Sequence, residues 1–305
     1  MEMDCSAVES TEKLKEIFHS SPPFPFTHFN KFFMDNNQKV VKLENGVFNF
    51  ITFDEIEVTN GALVEVEQGS IEQSKDVLQK ITMFGNQIVR FLMNDAQDLT
   101  AFKLLTHINL SGNQIQDFPA ITSHTLTNLV LSDNPMTTIH NEDLFGVPNL
   151  EHIYIDNVRM NILETKLLSN HKSLVTIDLS DNNLVQIQNT ALLIQSEELK
   201  EIDLSNNRIN DVEPGAFDKN VPGLKVLLNF NQLRTLDEAT WKQLVEAEIY
   251  LDFRDNPLGC GCDMSWAVIP PAGETSNPLL GFMDGTCPEG QDFHSLDPAW
   301  YTQFC

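Results

Sequence analysis

"LKEIDLSNNRIN", Leu199 to Asn210, holds four residues that want a core, Leu199, Ile202, Leu204 and Ile209, with one asparagine, Asn207, set among them. One unit upstream, "LVTIDLSDNNLV" from Leu174 is nearly the same phrase. Both fit the template L-x-x-L-x-L-x-x-N-x-L. The template recurs at Leu78 (Ile81, Met83, Asn86, Ile88), Leu105 (Ile108, Leu110, Asn113, Ile115) and Leu126 (Leu129, Leu131, Asn134, Met136). Phe29 and Phe53 open substituted copies, the second with Gly61 at the asparagine place, and Leu150 opens one with Val158 there. A ninth copy, "LKVLLNFNQL" from Leu224, is one residue short, and a tenth ends in "LDFRDNPLGC". From Phe29 to Leu199 the starts lie 24, 25, 27, 21, 24, 24 and 25 residues apart.

A fixed period of this length means stacked coils, each with one short parallel strand and a looser return segment. The template's apolar residues point inward and stack on their equivalents in the next coil. Each coil turns sharply after its strand, which leaves backbone N–H and C=O groups buried there. Leaving one unpaired costs about 1–3 kcal/mol. An inward asparagine satisfies them on its own coil and its neighbour. Asn86, Asn113, Asn134, Asn182 and Asn207 are therefore expected to form a ladder, with Asn60 and Asn157 compensating at the Gly61 and Val158 gaps. Phe48, Ile71, Phe145, Phe217 and Trp241 fall at one place in the return segments and predict a spine behind the strands. Asp237 to Glu248 reads as a short helix on that side.

This periodicity resembles that of the extracellular leucine-rich-repeat proteins. The fold class implied is α/β: a curved, horseshoe-like solenoid with parallel strands on its concave face. The expected organisation is a partial N-terminal cap over 1–28, about ten repeats over 29–258 and a cysteine-rich C-terminal cap over 259–305.

The 305 residues are 41% hydrophobic, enough for a core, and no apolar run reaches the length of a membrane span. With 44 acidic against 19 basic residues the net charge is -25, which makes phosphate backbones and anionic membranes poor partners. Four of the five cysteines, Cys260, Cys262, Cys287 and Cys305, crowd the C-terminal end. A bond between Cys260 and Cys262 would close a tiny strained ring, so two pairings remain. A zinc site is the weaker alternative, since C-x-C with distant single cysteines is not usual zinc spacing. "NPLGCGCDMSWAV", with Trp266 after the C-x-C, resembles the family's C-terminal cysteine cap. That resemblance implies Cys260–Cys287 and Cys262–Cys305. Family members open with several cysteines, whereas this chain has Cys5 alone and starts "MEMDCSAVES" with no signal peptide. The expectation is a truncated N-terminus and a Cys5 whose partner is missing or intermolecular.

No nucleophile elbow, phosphate loop, zincin helix or EF-hand loop occurs, so no catalytic residue, cofactor or metal ligand is nominated and the chain reads as a non-enzyme. His107 and His152 fall at outward strand positions and read as surface residues. The sequon "NLS" at Asn109 lies inside a strand, which disfavours glycosylation there. The alternate strand positions define an outward face: Phe33, Glu57, Thr82, Asn109, Val130, Tyr154, Asp178, Asp203 and Asp252, with Glu201, Tyr250 and Asp255 close by. Tyr154, Asp178, Glu201, Asp203, Tyr250 and Asp252 are the candidate protein-binding residues.

Longer phrases, among them "KLENGVFNFITFDEIEV", "SGNQIQDFPAITSHTL" and "GTCPEGQDFHSLDPAW", resemble arthropod proteins similar to the non-catalytic subunit of Oplophorus-luciferin 2-monooxygenase. In that enzyme a small partner chain performs the oxidation, and the leucine-rich subunit associates with it and stabilises it. The resemblance implies a secreted, non-enzymatic scaffold whose concave face meets a protein, with a small catalytic oxidase subunit as the partner. An extracellular recognition module in immunity or matrix contact, unrelated to any oxidase, is the alternative.

Overall fold

The structure is a computed structural model that describes residues 1–20, 26–93, 97–217 and 221–305. It comprises two compact units, Met1–Val158 and Arg159–Cys305. Both are built of parallel-strand coils, about nine turns in all. In the first unit the main sheet runs β1 (Glu2–Asp4), β2 (His28–Asp35), β3 (Thr52–Thr59), β4 (Lys80–Thr82), β5 (His107–Asn109), β6 (Asn128–Val130) and β7 (His152–Tyr154), in chain order. In the second it runs β8 (Thr176–Asp178), β9 (Glu201–Asp203), β10 (Lys225–Leu227), β11 (Tyr250–Asp252) and β12 (Met283–Asp284).

The pairing register reproduces the template. Ile56, Ile81, Ile108, Leu129 and Ile153 face one another across β3 to β7, and all are fully buried. Ile177, Ile202, Val226 and Leu251 do the same in the second unit. Side chains alternate along a strand, so the flanking residues form outward rows.

The asparagines behave as the turn requires. Asn207 is buried; its Oδ1 accepts from the Leu184 amide at 3.0 Å, and its Nδ2 donates to the carbonyls of Leu179, Leu204 and Ser205 at 3.0–3.1 Å. Asn86, Asn113 and Asn134 repeat this in the first unit. In the second, Asn182 takes the Met160 amide, and Asn231 and Asn256 extend the ladder beyond the members counted from sequence. The residue just before each ladder position has a left-handed backbone: Asn36, Asp133, Asp181, Asn206 and Asp255 have φ between 51° and 57°. Asparagine and aspartate tolerate that conformation. Phe230, at φ 56°, does not suit it and projects half into solvent.

The ladder gaps are not filled by their neighbours. Asn60 and Asn157 occupy the left-handed place, are exposed, and bond outward to Asp35 and Asp133. At Gly61 the coils instead close up: a Cβ there would lie 2.7 Å from the Asn37 carbonyl oxygen, and Asn86 Oδ1 accepts the Gly61 amide. Val158, fully buried, fills its own place with a side chain that offers no hydrogen bond. It is also the last residue of the first unit.

Behind the strands, Phe48, Ile71, Phe217 and Trp241 are buried as the spine requires. Phe145 is not: it is 59% exposed, and Leu144 takes the inward place. The short 3-10 turn Asn141–Leu144 shifts the chain by one residue there. Asp237 starts helix α2 (Glu238–Glu246), with Thr240, Trp241, Leu244 and Val245 inward.

At the N-terminal end α1 (Thr11–His19) buries Leu14 and Phe18. Phe18 packs with Phe32, Phe48 and Phe53, with ring centroids 4.8–6.2 Å apart across the set. Cys5 is free and buried, and burial pushes its thiol up to about 12. In this fold it is not presented for an intermolecular bond. At the C-terminal end Cys260 is bonded to Cys287 and Cys262 to Cys305. Trp266 Nε1 donates to the Leu236 carbonyl at 2.8 Å, and Tyr301 Oη to the Cys260 carbonyl at 2.7 Å. Helix α3 (Ser265–Val268) is buried beneath, and α4 (Pro298–Phe304) ends the chain.

Replacing Asn207 with alanine strands four backbone groups; urea unfolding is expected to show a loss of about 3 kcal/mol, against under about 0.5 kcal/mol for exposed Asn210→Ala. The two disulfides close loops of 27 and 43 residues. Each is expected to contribute about 3.5–4 kcal/mol. Dithiothreitol is therefore expected to lower the melting temperature, and an unchanged melting curve would refute the bonded cap.

Candidate interaction surface

The outward rows of the second unit carry the densest chemistry. In register across β8 to β12 lie Asp178, Asp203, Leu227, Asp252 and Asp284. Beside them run Thr176, Glu201, Lys225 and Tyr250. Neighbouring strands lie about 4.8 Å apart, so Asp178 and Asp203 are like charges side by side.

The aspartates are first of all turn residues. Asp178 Oδ1 accepts from the Ser180 amide and hydroxyl at 3.0 and 2.7 Å, and Asp203 Oδ1 accepts from the Ser205 amide at 2.8 Å. The phrase Asp-Leu-Ser encodes this, and Asn109-Leu110-Ser111 in the first unit makes the same bonds with a neutral side chain. Burial, then the Asp178 and Asp181 charges, raise the Asp203 pKa against the lowering bonds from Ser205. A raised folded-state pKa means that folded Asp203 holds its proton more tightly than the unfolded chain does. Stability therefore falls as pH rises above the ordinary aspartate range, and the ionised group is a burden at neutral pH.

The candidate residues do not all lie open. Asp252 is only 2% exposed. Its Oδ1 accepts from Arg254 Nε at 2.9 Å and its Oδ2 from Arg254 Nη2 at 2.5 Å, which raises the Arg254 pKa and leaves the guanidinium, not the carboxylate, facing solvent. Tyr250 is half-buried and donates to Asp284; burial first, and that carboxylate second, push its phenol up to about 12, so it stays a neutral donor. Asp178, Glu201 and Asp203 are half-buried with their outer edges accessible. Tyr154, on β7 of the first unit, is half-buried in register with Val130. The sequence template missed Asp284, which lies in the cap beyond the last repeat, and Leu227 and exposed Phe230, displaced by the short ninth copy.

His107 and His152 lie on β5 and β7 with β6 between them. Among the described residues no three His, Cys, Asp or Glu side chains come together as a metal site, and no helix is long and apolar enough to cross a membrane. A cleft of about 620 Å³ between return segments is lined by Thr190, Leu193, Phe217, Thr240 and Leu244, and by the carboxylate of Glu213. Glu213 is already held by the Asn189 amide and the Gln186 side chain. Nothing in this cleft pairs a nucleophile with a base.

Stacked parallel strands, inward asparagines at most turns and a cysteine cap define a leucine-rich-repeat fold, and residues 197–258 match the family model described as Leucine rich repeat. Over its whole length the chain is similar to the Oplophorus-luciferin 2-monooxygenase non-catalytic subunit of Oplophorus gracilirostris, at 27% identity, covering 83% of that protein. Among solved structures, a chain of the octameric complex of Latrophilin 3, Unc5D and FLRT2 (LRR) superposes with a TM-score of 0.69 at 18% identity, covering 88% of this chain and 81% of that one. A chain of the TLR13–ssRNA13 complex gives 0.57 at 19% identity, covering 82% of this chain and 31% of that one. The structural likenesses carry the fold alone.

Asp203→Asn, in protein from a bacterial host, is expected to raise the melting temperature at pH 7 and to leave it unchanged at pH 3, where both side chains are neutral. Equal effects at the two pH values would refute the burden assigned to this charge.

Proposed function

We propose that this chain is a secreted, non-enzymatic protein-binding scaffold that associates with a small catalytic oxidase subunit and stabilises it. The observation that carries this reading is the full-length similarity to a subunit named as non-catalytic. The geometry agrees with it in three respects. The outward rows are rigid, because their side chains are pinned by strand pairing and by the turns beneath. They carry the carboxylates of Asp178, Glu201 and Asp203, which suit a basic partner surface. Two disulfides at one end suit an oxidising compartment.

Asp178, Glu201 and Asp203 are the proposed contacts for partner cations. Tyr250 and Leu227 supply adjoining apolar area; on the first unit, taken by itself, Tyr154 is a proposed contact. Asp252 acts indirectly, by holding Arg254 in place.

Crosslinking followed by capture from native tissue tests the partner: a small secreted oxidase chain is expected, whereas a microbial or cell-surface protein would replace this reading with that of a recognition module. The purified chain is expected to turn over no luciferin; turnover above background with this chain alone would refute the scaffold role. Capture is expected to weaken with salt and with Asp178→Lys or Glu201→Lys.

A further inference from the structure

The C-terminal cap, residues 259–305, contains Asp263, Glu274, Asp284, Glu289, Asp292 and Asp297, and neither lysine nor arginine. On it lies a cleft of about 440 Å³, lined by the Cys260–Cys287 bridge, Pro288, Gln291, Leu296, Asp297, Trp300 and Tyr301. Of the three tryptophans, Trp241 and Trp266 are 2% and 9% exposed, whereas Trp300 is 45% exposed. Trp300 is held in place by an edge-on contact with Tyr301, centroids 5.0 Å apart, and a tilted one with Phe304 at 5.5 Å. Tyr301 is itself anchored through its hydroxyl to the Cys260 carbonyl. Asp297 uses Oδ1 to cap α4, accepting from the Ala299 amide at 2.9 Å. Its Oδ2 has no partner among the described residues.

A fixed, open indole and an uncompensated carboxylate in one cleft are the two groups that recognise an organic cation. The ring attracts positive charge through its quadrupole, and the carboxylate supplies the counter-charge. We propose that this cleft receives an arginine side chain presented by an extended segment of a partner protein. A guanidinium suits the site better than an ammonium, because its plane stacks on indole while its edge hydrogen-bonds a carboxylate. A neutral or acidic group would leave Asp297 unmatched in a cap that has no lysine or arginine to offset it. The volume holds one such side chain with its adjoining backbone. The site is separate from the sheet rows and does not depend on them.

The test uses the intact disulfide-bonded chain and a blocked Gly-Arg-Gly peptide, with the peptide carrying citrulline, arginine's neutral isostere, as control. Because Trp300 is the exposed tryptophan, a saturable change in tryptophan emission with the arginine peptide is expected, and a dissociation constant at least about tenfold weaker for citrulline. Asp297→Asn keeps the helix cap and is expected to reduce the preference for arginine over citrulline to near parity. Trp300→Leu, followed through the peptide's own NMR signals, is expected to lose binding while melting as the parent does. Asp203→Asn is expected to change none of this, so failure here is distinguishable from failure of the sheet-face reading. Absence of a saturable response, equal binding of the citrulline peptide, or binding that survives both cap substitutions would overturn the proposal.

Discussion

Each coil must turn within a few residues of its strand, and the turn buries amides that strand pairing cannot reach. The inward asparagine resolves this. One amide side chain carries both an acceptor and two donors, so it closes its own turn and accepts an amide from the coil before it. Aspartate has no donor, serine is too short, and leucine has neither kind of group. The fold is therefore constrained at one atom group per turn, while the apolar positions around it admit Leu, Ile, Val, Met or Phe. Where the asparagine is missing the chain adapts in different ways: Gly61 lets the backbones approach, and Val158 fills the place with bulk.

This explains how much was legible in the sequence. Side chains that meet a backbone requirement are specified residue by residue, so Asn86 to Asn207 could be placed from spacing alone, as could the inward rows. Asn231 belongs to the same rule and was obscured by the short ninth copy, whereas Asn256 is legible in the tenth, "LDFRDNPLGC". The return segments answer only to volume, and volume tolerates a shift of one residue. That is why Phe145 and Leu144 exchange places, and why the left-handed position, not the ladder, claims Asn60 and Asn157.

The candidate surface was legible as a list of positions and not as chemistry. Spacing showed that Asp252 faces outward but not that Arg254, two residues on, would fold over it. It showed Tyr250 but not its acceptor, because Asp284 comes from a cap strand outside the repeat. Pairwise geometry of this kind depends on side-chain direction and on segments distant in sequence, and neither has a period.

The Asp-Leu-Ser turn has a consequence for how such a surface changes over time. Its acidic residue serves the backbone, and the charge comes along with it, so Asn109 does the same work without charge. In a secretory compartment, however, trading that aspartate for asparagine writes Asn-Leu-Ser, the acceptor motif for an N-linked sugar. At Asp178 or Asp203 that motif would fall in a strand, the setting that disfavours a sugar at Asn109. The acidic residues at Asp178 and Asp203 are thus accounted for by the turns they close, whether or not any ligand demands them.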